Sequence, residues 1–225
     1  MTTKKNALGI ILTVLFACIL MAFIESVFRP GYAIKSAIKA ILFLTLPLIY
    51  IRLHKGHSLR SLFQLRLKKL PFFLLLGIGV YAFILGFYFL FGRFFDLSNI
   101  TVSLKNKIGV NEQNFVFVAL YISFVNSFLE EFFFRGFSFL LLKKYAGKPF
   151  AFCFSAAVFS LYHITMMTGW FSNALLLLLI ATLFAAGLFF DYLDQKANNI
   201  YASFAVHMFA NFSVNTIGFI LFGLL

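Results

Sequence analysis

FVFVALYISFVNSFLEEFFFRGFSFLLL, residues 115–142, carries three charged side chains in an otherwise apolar and weakly polar run: Glu130, Glu131 and Arg135. The run exceeds the ~20 residues that take a helix across ~30 Å of hydrocarbon. It therefore reads as a membrane helix with ionisable groups set inside it. The remainder of the chain supports that reading. Of 225 residues, 62% are hydrophobic and 12% charged, whereas a soluble domain is roughly half apolar and about a quarter charged. A water-soluble fold of this length lacks the interior to bury so much apolar surface.

Working outward, six more apolar stretches span roughly 7–28, 34–51, 71–95, 150–167, 173–191 and 200–223. The expected fold class is an all-α, polytopic transmembrane helical bundle of about seven spans, forming a single integral membrane domain over 1–225. An eighth crossing follows only if the third or fourth stretch is broken. The fourth is long for one span, so its C-terminal turns are expected to emerge toward the headgroups. Cys18 and Cys153 both fall inside apolar runs and are expected to be buried small hydrophobes.

The net charge of +12 would suggest nucleic acid in a soluble protein. Here the basic residues lie between apolar runs, so no nucleic acid is expected, and anionic membrane lipids are the partner. Lys4 and Lys5 precede the first stretch. Arg52, Lys55, Arg60, Arg66, Lys68 and Lys69 separate the second and third, and Lys143, Lys144 and Lys148 follow the fourth. Seven crossings put all three clusters on one side, expected to be cytoplasmic. The chain then reads as a multi-pass protein of the cell (plasma) membrane with its N-terminus in the cytoplasm and its first helix retained. Arg29, Lys35 and Lys39 are exceptions near the outer end of the first two helices, with Glu25 as an interfacial partner for Arg29. Residues 58–70 read either as a short interfacial helix or as a basic tether.

Charged groups inside a membrane span are costly and usually functional. On a helix Glu131 and Arg135 stand four apart and can pair. Glu130, turned ~100° away, shares its face with Asn126 and Phe134 and has no counter-charge on its own helix, which makes it the candidate general base. His163 lies in the fifth stretch one turn after Phe159. Ser203, His207, Asn211 and Asn215 form a polar stripe on the seventh. A lone membrane histidine or an amide stripe can also simply hold helices together. Depth argues for more. At ~1.5 Å per residue from the basic ends, Glu130 lies at about 18 Å, His163 at about 20 Å, Asn211 at about 16 Å and His207 at about 10 Å. Three helices thus bring polar groups to a similar level, where they could line one cavity opening toward the cytoplasm.

A carboxylate and an imidazole can together orient and deprotonate a water, and His207 with Asn211 could donate to an oxyanion. That is the equipment of a peptide-bond hydrolase. Glu130, His163 and His207 could equally hold Zn²⁺ with a fourth position left for water. HExxH, GxSxG and paired membrane aspartates are all absent.

At these residues the chain resembles the CAAX prenyl endopeptidase and bacteriocin-processing (Abi, CPBP) family of intramembrane proteases. The EExxxR motif is matched by Glu130, Glu131 and Arg135, FxxxH by Phe159 and His163, and HxxxN by His207 and Asn211. The resemblance covers about 115–215 and implies a family-like catalytic core formed by the last four spans. It implies that Glu130 and His163 activate water, that His207 and Asn211 stabilise the oxyanion, and that Glu131, Arg135 and Phe159 support them. No cofactor is favoured; zinc is the alternative. The implied substrate is a hydrophobic or lipidated, membrane-anchored peptide or protein. The Lys-, Asn- and Phe-rich composition looks bacterial, where such proteins resemble immunity factors and peptide processors. A non-catalytic immunity or scaffold protein with a membrane sensor-protein partner is therefore the second reading, and a proton- or ion-coupled transporter the third.

Overall fold

A computed structural model describes residues 2–54, 62–64 and 67–225. Among them the chain is an all-α polytopic bundle with eight principal helices: α1 (Thr3–Phe28), α2 (Tyr32–Leu53), α3 (Leu70–Phe94), α4 (Ser98–Ile108), α5 (Phe115–Ala146), α6 (Lys148–Met167), α7 (Asn173–Ala197) and α8 (Tyr201–Leu221). All but α4 are long and apolar enough to cross a membrane, which makes seven spans among the described residues. The third and fourth stretches are not broken into further crossings. Helix α4 lies in the connection between α3 and α5. Asp96 starts it by accepting from the N–H and hydroxyl of Ser98, bonds that hold its carboxyl below the ordinary carboxylate range. Of the helix considered for 58–70, residues 58–61, 65 and 66 lie outside the described residues, as do Lys55, Arg60 and Arg66; Leu67–Lys69 make one tight helical turn.

Lipid-facing surface explains the composition. Phe83, Phe117 and Leu177 are 72%, 74% and 71% exposed, an arrangement that water would oppose and hydrocarbon accepts. Cys153, expected to be buried, lies on this exposed surface, whereas Cys18 is buried.

The C-terminal half of helix α5 is the exception to the lipid-facing pattern. Every residue from Leu129 to Leu142 is buried, so this part of the helix packs against protein on all sides. Helix α5 winds with wide, π-type turns over Tyr121–Asn126 and Glu131–Leu141. Such turns rise less per residue and let a long segment fit one span. They are frequent where a helix carries function. Phe43 of α2 stacks on Phe133 at 4.0 Å and meets Phe134 edge-on, and Phe159 of α6 meets Phe134 from the other side at 5.4 Å. The core cluster also takes Ile10, Val14 and Met21 from α1. The N-terminal helices thus wall the centre together with α5 and α6.

Two connections are tight. Gly147 alone separates α5 from α6 and takes φ of 82°, a left-handed conformation that glycine adopts without a Cβ penalty. Between α7 and α8, Asp194 accepts from Ser203 N–H at 2.8 Å and Ser203 Oγ–H at 2.7 Å. A carboxylate thereby satisfies a free donor in the first turn of α8 and sets where His207, one turn on, will point. At the near end Glu25 pairs with Lys35 at 2.8 Å, not with Arg29, whose Nε donates to the Ser26 carbonyl.

Helices α6 and α7 touch through a glycine. A Cβ at Gly187 would stand 2.9 Å from Ala156 Cα, closer than backbone atoms allow. Gly187→Leu is expected to destabilise the bundle by about 1–3 kcal/mol, seen as a lower thermal unfolding midpoint in detergent; an unchanged midpoint would show that α6 and α7 can separate freely.

Candidate functional site

The site is built where α2, α5, α6, α7 and α8 meet. Glu130 is 1% exposed. Its Oε1 accepts from Lys39 Nζ of α2 at 2.5 Å and from Asn126 Nδ2 at 3.1 Å. Lys39 Nζ also donates to Asn126 Oδ1 at 2.6 Å, closing a triangle. Glu130 Oε2 stands 3.7 Å from His207 Nε2 and accepts no hydrogen bond among the described residues.

Two expectations change here. Glu130 has no counter-charge on its own helix, yet Lys39 supplies one from another. Lys39 is 5% exposed and does not reach the outer interface. The two glutamates do not serve separate sides either. Glu131 Oε1 lies 2.7 Å from His207 Nδ1, so His207 is held between both carboxylates. A carboxylate can only accept, so Nδ1 carries the proton and Nε2 is turned toward Glu130. Phe190 stacks on the same ring at 5.3 Å.

Glu131 extends the network inward. Its Oε2 lies 3.4 Å from Arg135 Nε, which lies 3.8 Å from Asp191 Oδ1 of α7. Asp191 Oδ1 also accepts from Ser155 Oγ of α6 at 3.1 Å. Arg135 is fully buried, and its three nitrogens make no hydrogen bond among the described residues. The guanidinium instead rests on the Phe159 and Phe190 rings, 4.0 and 5.0 Å from their centroids. Phe159 therefore supports the site through Arg135.

His163 approaches from α6. Its Nδ1 lies 2.7 Å from the Phe159 carbonyl, which can only accept, so Nδ1–H is spent there and Nε2 keeps its lone pair. The ring meets Phe159 and Tyr162 edge-on at 4.8 and 5.4 Å. Tyr162 in turn carries Lys39 Nζ 5.1 Å from its centroid. Glu130 and His163 lie within electrostatic reach of each other. Asn211 Nδ2 donates to Ser127 Oγ at 2.8 Å and toward the Ile122 carbonyl at 3.4 Å, tying α8 to α5. Asn215 repeats that tie one turn on, to Ser123 and Ala119.

Most of these residues lie in a segment that matches a known family. Residues 112–213 match the family described as type II CAAX prenyl endopeptidase Rce1-like. Residues 112–213 are a Rce1-like domain. No curated protein and no solved structure matches the chain. The Rce1-like domain contains Glu130, Glu131, Arg135, Phe159, His163, His207 and Asn211, whereas Lys39 comes from outside it.

Sequence reasoning missed Lys39, Asp191 and Asp194. The two aspartates are among only seven acidic residues in the chain, three apart at the end of the sixth apolar stretch. That rarity was the available signal. Lys39 gave a weaker one, because a lysine eight positions into a span is ordinarily able to snorkel.

A cleft of about 370 Å³ lies between α3, α5 and α8, lined by Tyr81, Leu120, Ser123, Phe212 and Asn215 among others. Glu130, His163 and His207 are not in its lining, so the polar groups do not line one common cavity with it. Among the described residues, no three His, Cys, Asp or Glu side chains are grouped so as to hold a metal ion.

Arg135 is the cation between two buried carboxylates. Arg135→Met is expected to cost about 3–5 kcal/mol, because it leaves Glu131 and Asp191 uncompensated, and Arg135→Met with Asp191→Asn should regain part of that loss. Unfolding in detergent measures both, and strictly additive losses would show that Arg135 and Asp191 are not coupled.

Proposed function

We propose that the chain is an intramembrane endopeptidase that hydrolyses a peptide bond in a hydrophobic or membrane-anchored substrate. One observation carries this reading. Inside a domain of a prenyl endopeptidase family, the buried Glu130 carboxylate has one oxygen saturated and the other turned toward His207, with His163 in electrostatic reach.

In the proposed reaction the free Nε2 of His163 accepts a hydrogen bond from water and holds it. As the water oxygen attacks the carbonyl carbon, its proton passes to Glu130 Oε2. The carbonyl oxygen becomes an oxyanion. His207, between two carboxylates, can carry a proton on both nitrogens and offer Nε2–H to that oxyanion, and the Asn211 amide, turning from Ser127, offers a second donor. The C–N bond then breaks, and the proton on Glu130 goes to the leaving amine. The products are a carboxylic acid and an amine, and transfer of the acid proton to the amine leaves a carboxylate and an ammonium.

The metal-free form is the one proposed. Lys39 sets a fixed positive charge against Glu130 Oε1, and a zinc ion on that carboxylate would have to sit beside it. The mostly apolar cleft runs along α8 from Phe209 to Phe219 and suits a hydrophobic substrate segment. The end bearing Lys4, Lys5, Lys143, Lys144 and Lys148 is proposed to face the cytoplasm.

Cleavage of a panel of lipidated and hydrophobic peptides in proteoliposomes tests the proposal. Glu130→Ala and His163→Ala should each lower the rate by about 10²–10⁴-fold, and a chelator should leave the wild type unaffected. Full activity in Glu130→Ala would sink the mechanism. Chelator-sensitive activity restored by zinc would sink its metal-free form.

A further inference from the structure

Lysine inside a membrane span normally extends its stem and places the ammonium in the interface. Lys39 does the opposite. It lies in α2, outside the Rce1-like segment, and its ammonium is buried beside Glu130. Two of its three hydrogens go to Glu130 Oε1 and Asn126 Oδ1, at 2.5 and 2.6 Å. The rings of Tyr162 and Phe43 pack around it, 5.1 and 5.4 Å away at their centroids.

The triangle also fixes the Asn126 amide. Turned the other way, its NH₂ would face the ammonium and its oxygen the carboxylate, so only one orientation satisfies both neighbours. Asn126 then donates to the same Glu130 oxygen that Lys39 holds, at 3.1 Å. Two donors converge on Oε1 while Oε2, 3.7 Å from His207 Nε2, receives none among the described residues. A carboxylate with both oxygens equally solvated has no preferred proton acceptor; this one does.

We propose that Lys39 is a positioning residue for Glu130: with Asn126 it anchors Oε1 and so reserves Oε2 as the oxygen that takes the proton from water. The inference rests on the protease reading above. It extends the working site to a helix that the family match does not cover. Lys39 touches no reacting atom; it acts through the carboxylate. A mere strap between α2 and α5 would contribute to stability and leave turnover by the folded protein alone.

The test uses the full chain in proteoliposomes with an internally quenched, farnesylated peptide as probe, and thermal unfolding in detergent as a second measurement. Lys39→Met should lower kcat by about 100-fold, the scale expected when a reacting group loses its orientation, with KM within about threefold of wild type. Lys39→Arg, which keeps the charge, should recover at least about tenfold of that loss. In the unfolding cycle, the drop in midpoint caused by Lys39→Met should shrink when Glu130→Gln is added, since the uncompensated carboxylate is gone. Lys39→Gln, a polar side chain of similar length, serves if the Met variant does not fold. A folded Lys39→Met or Lys39→Gln protein with kcat within twofold of wild type overturns the proposal. Additive midpoints overturn the pairing itself, whatever cleavage does. Non-additive midpoints with a wild type inactive on every peptide tried would overturn the protease reading and leave the pairing supported.

Discussion

The contact of His207 with both Glu130 and Glu131 is the constraint on which the rest of the structure depends. It joins α8 to α5 through buried charged groups, which are costly to leave without a partner. Neighbouring elements follow from it. Glu130 draws in Lys39 and with it α2. Glu131 draws in Arg135, which brings Asp191 of α7 and the aromatic faces of Phe159 and Phe190. Arg135 shares α5 with Glu131, but Lys39, Asp191 and His207 come from three other helices, so the ionic chain and the helix arrangement depend on each other.

Such a chain is not an efficient source of stability. Desolvating several charges costs more than a matched set of apolar side chains would, and the pairing only recovers it. Packing carries the bundle instead. Phe43, Phe133, Phe134 and Phe159 form a continuous aromatic layer around the charges, and the exposed Leu and Phe side chains of α3 and α7 meet lipid. What the buried charges contribute is orientation. Glu131 holds the His207 imidazole with Nδ1–H spent, as the Phe159 carbonyl does for His163, so that both rings keep Nε2 for other work. The buried charges also leave one oxygen of Glu130 without a donor. Those features suit acid–base chemistry better than they suit a helix strap.

The adjacent glutamates of α5 meet the same histidine. With ordinary turns, adjacent glutamates diverge by ~100°, and one would expect them to serve different neighbours. Their long side chains close that angle, and with α8 packed alongside, both carboxylates reach opposite nitrogens of a single ring. The same residues that carry the charges are flanked by Phe132, Phe133 and Phe134, all buried, so no face of this segment is left for lipid.

The sequence by itself determined the class of fold, the seven spans to within a few residues at most ends, and the rarity of charge that singles out Glu130, Glu131, Arg135, His163 and His207. Those properties are local: apolar run length, 3.6-residue periodicity and the cost of a charge in hydrocarbon need only one stretch of chain at a time. Pairing was not legible. Lys39 is separated from Glu130 by 91 positions, and nothing in its own helix distinguishes an ammonium that snorkels from one that turns inward. Asp191 and Asp194 likewise look like helix-end residues until α5 and α8 lie beside them. Only the tertiary structure decided which carboxylate meets which cation, because an ion pair in a membrane is made by helix packing, and packing is a property of the whole bundle.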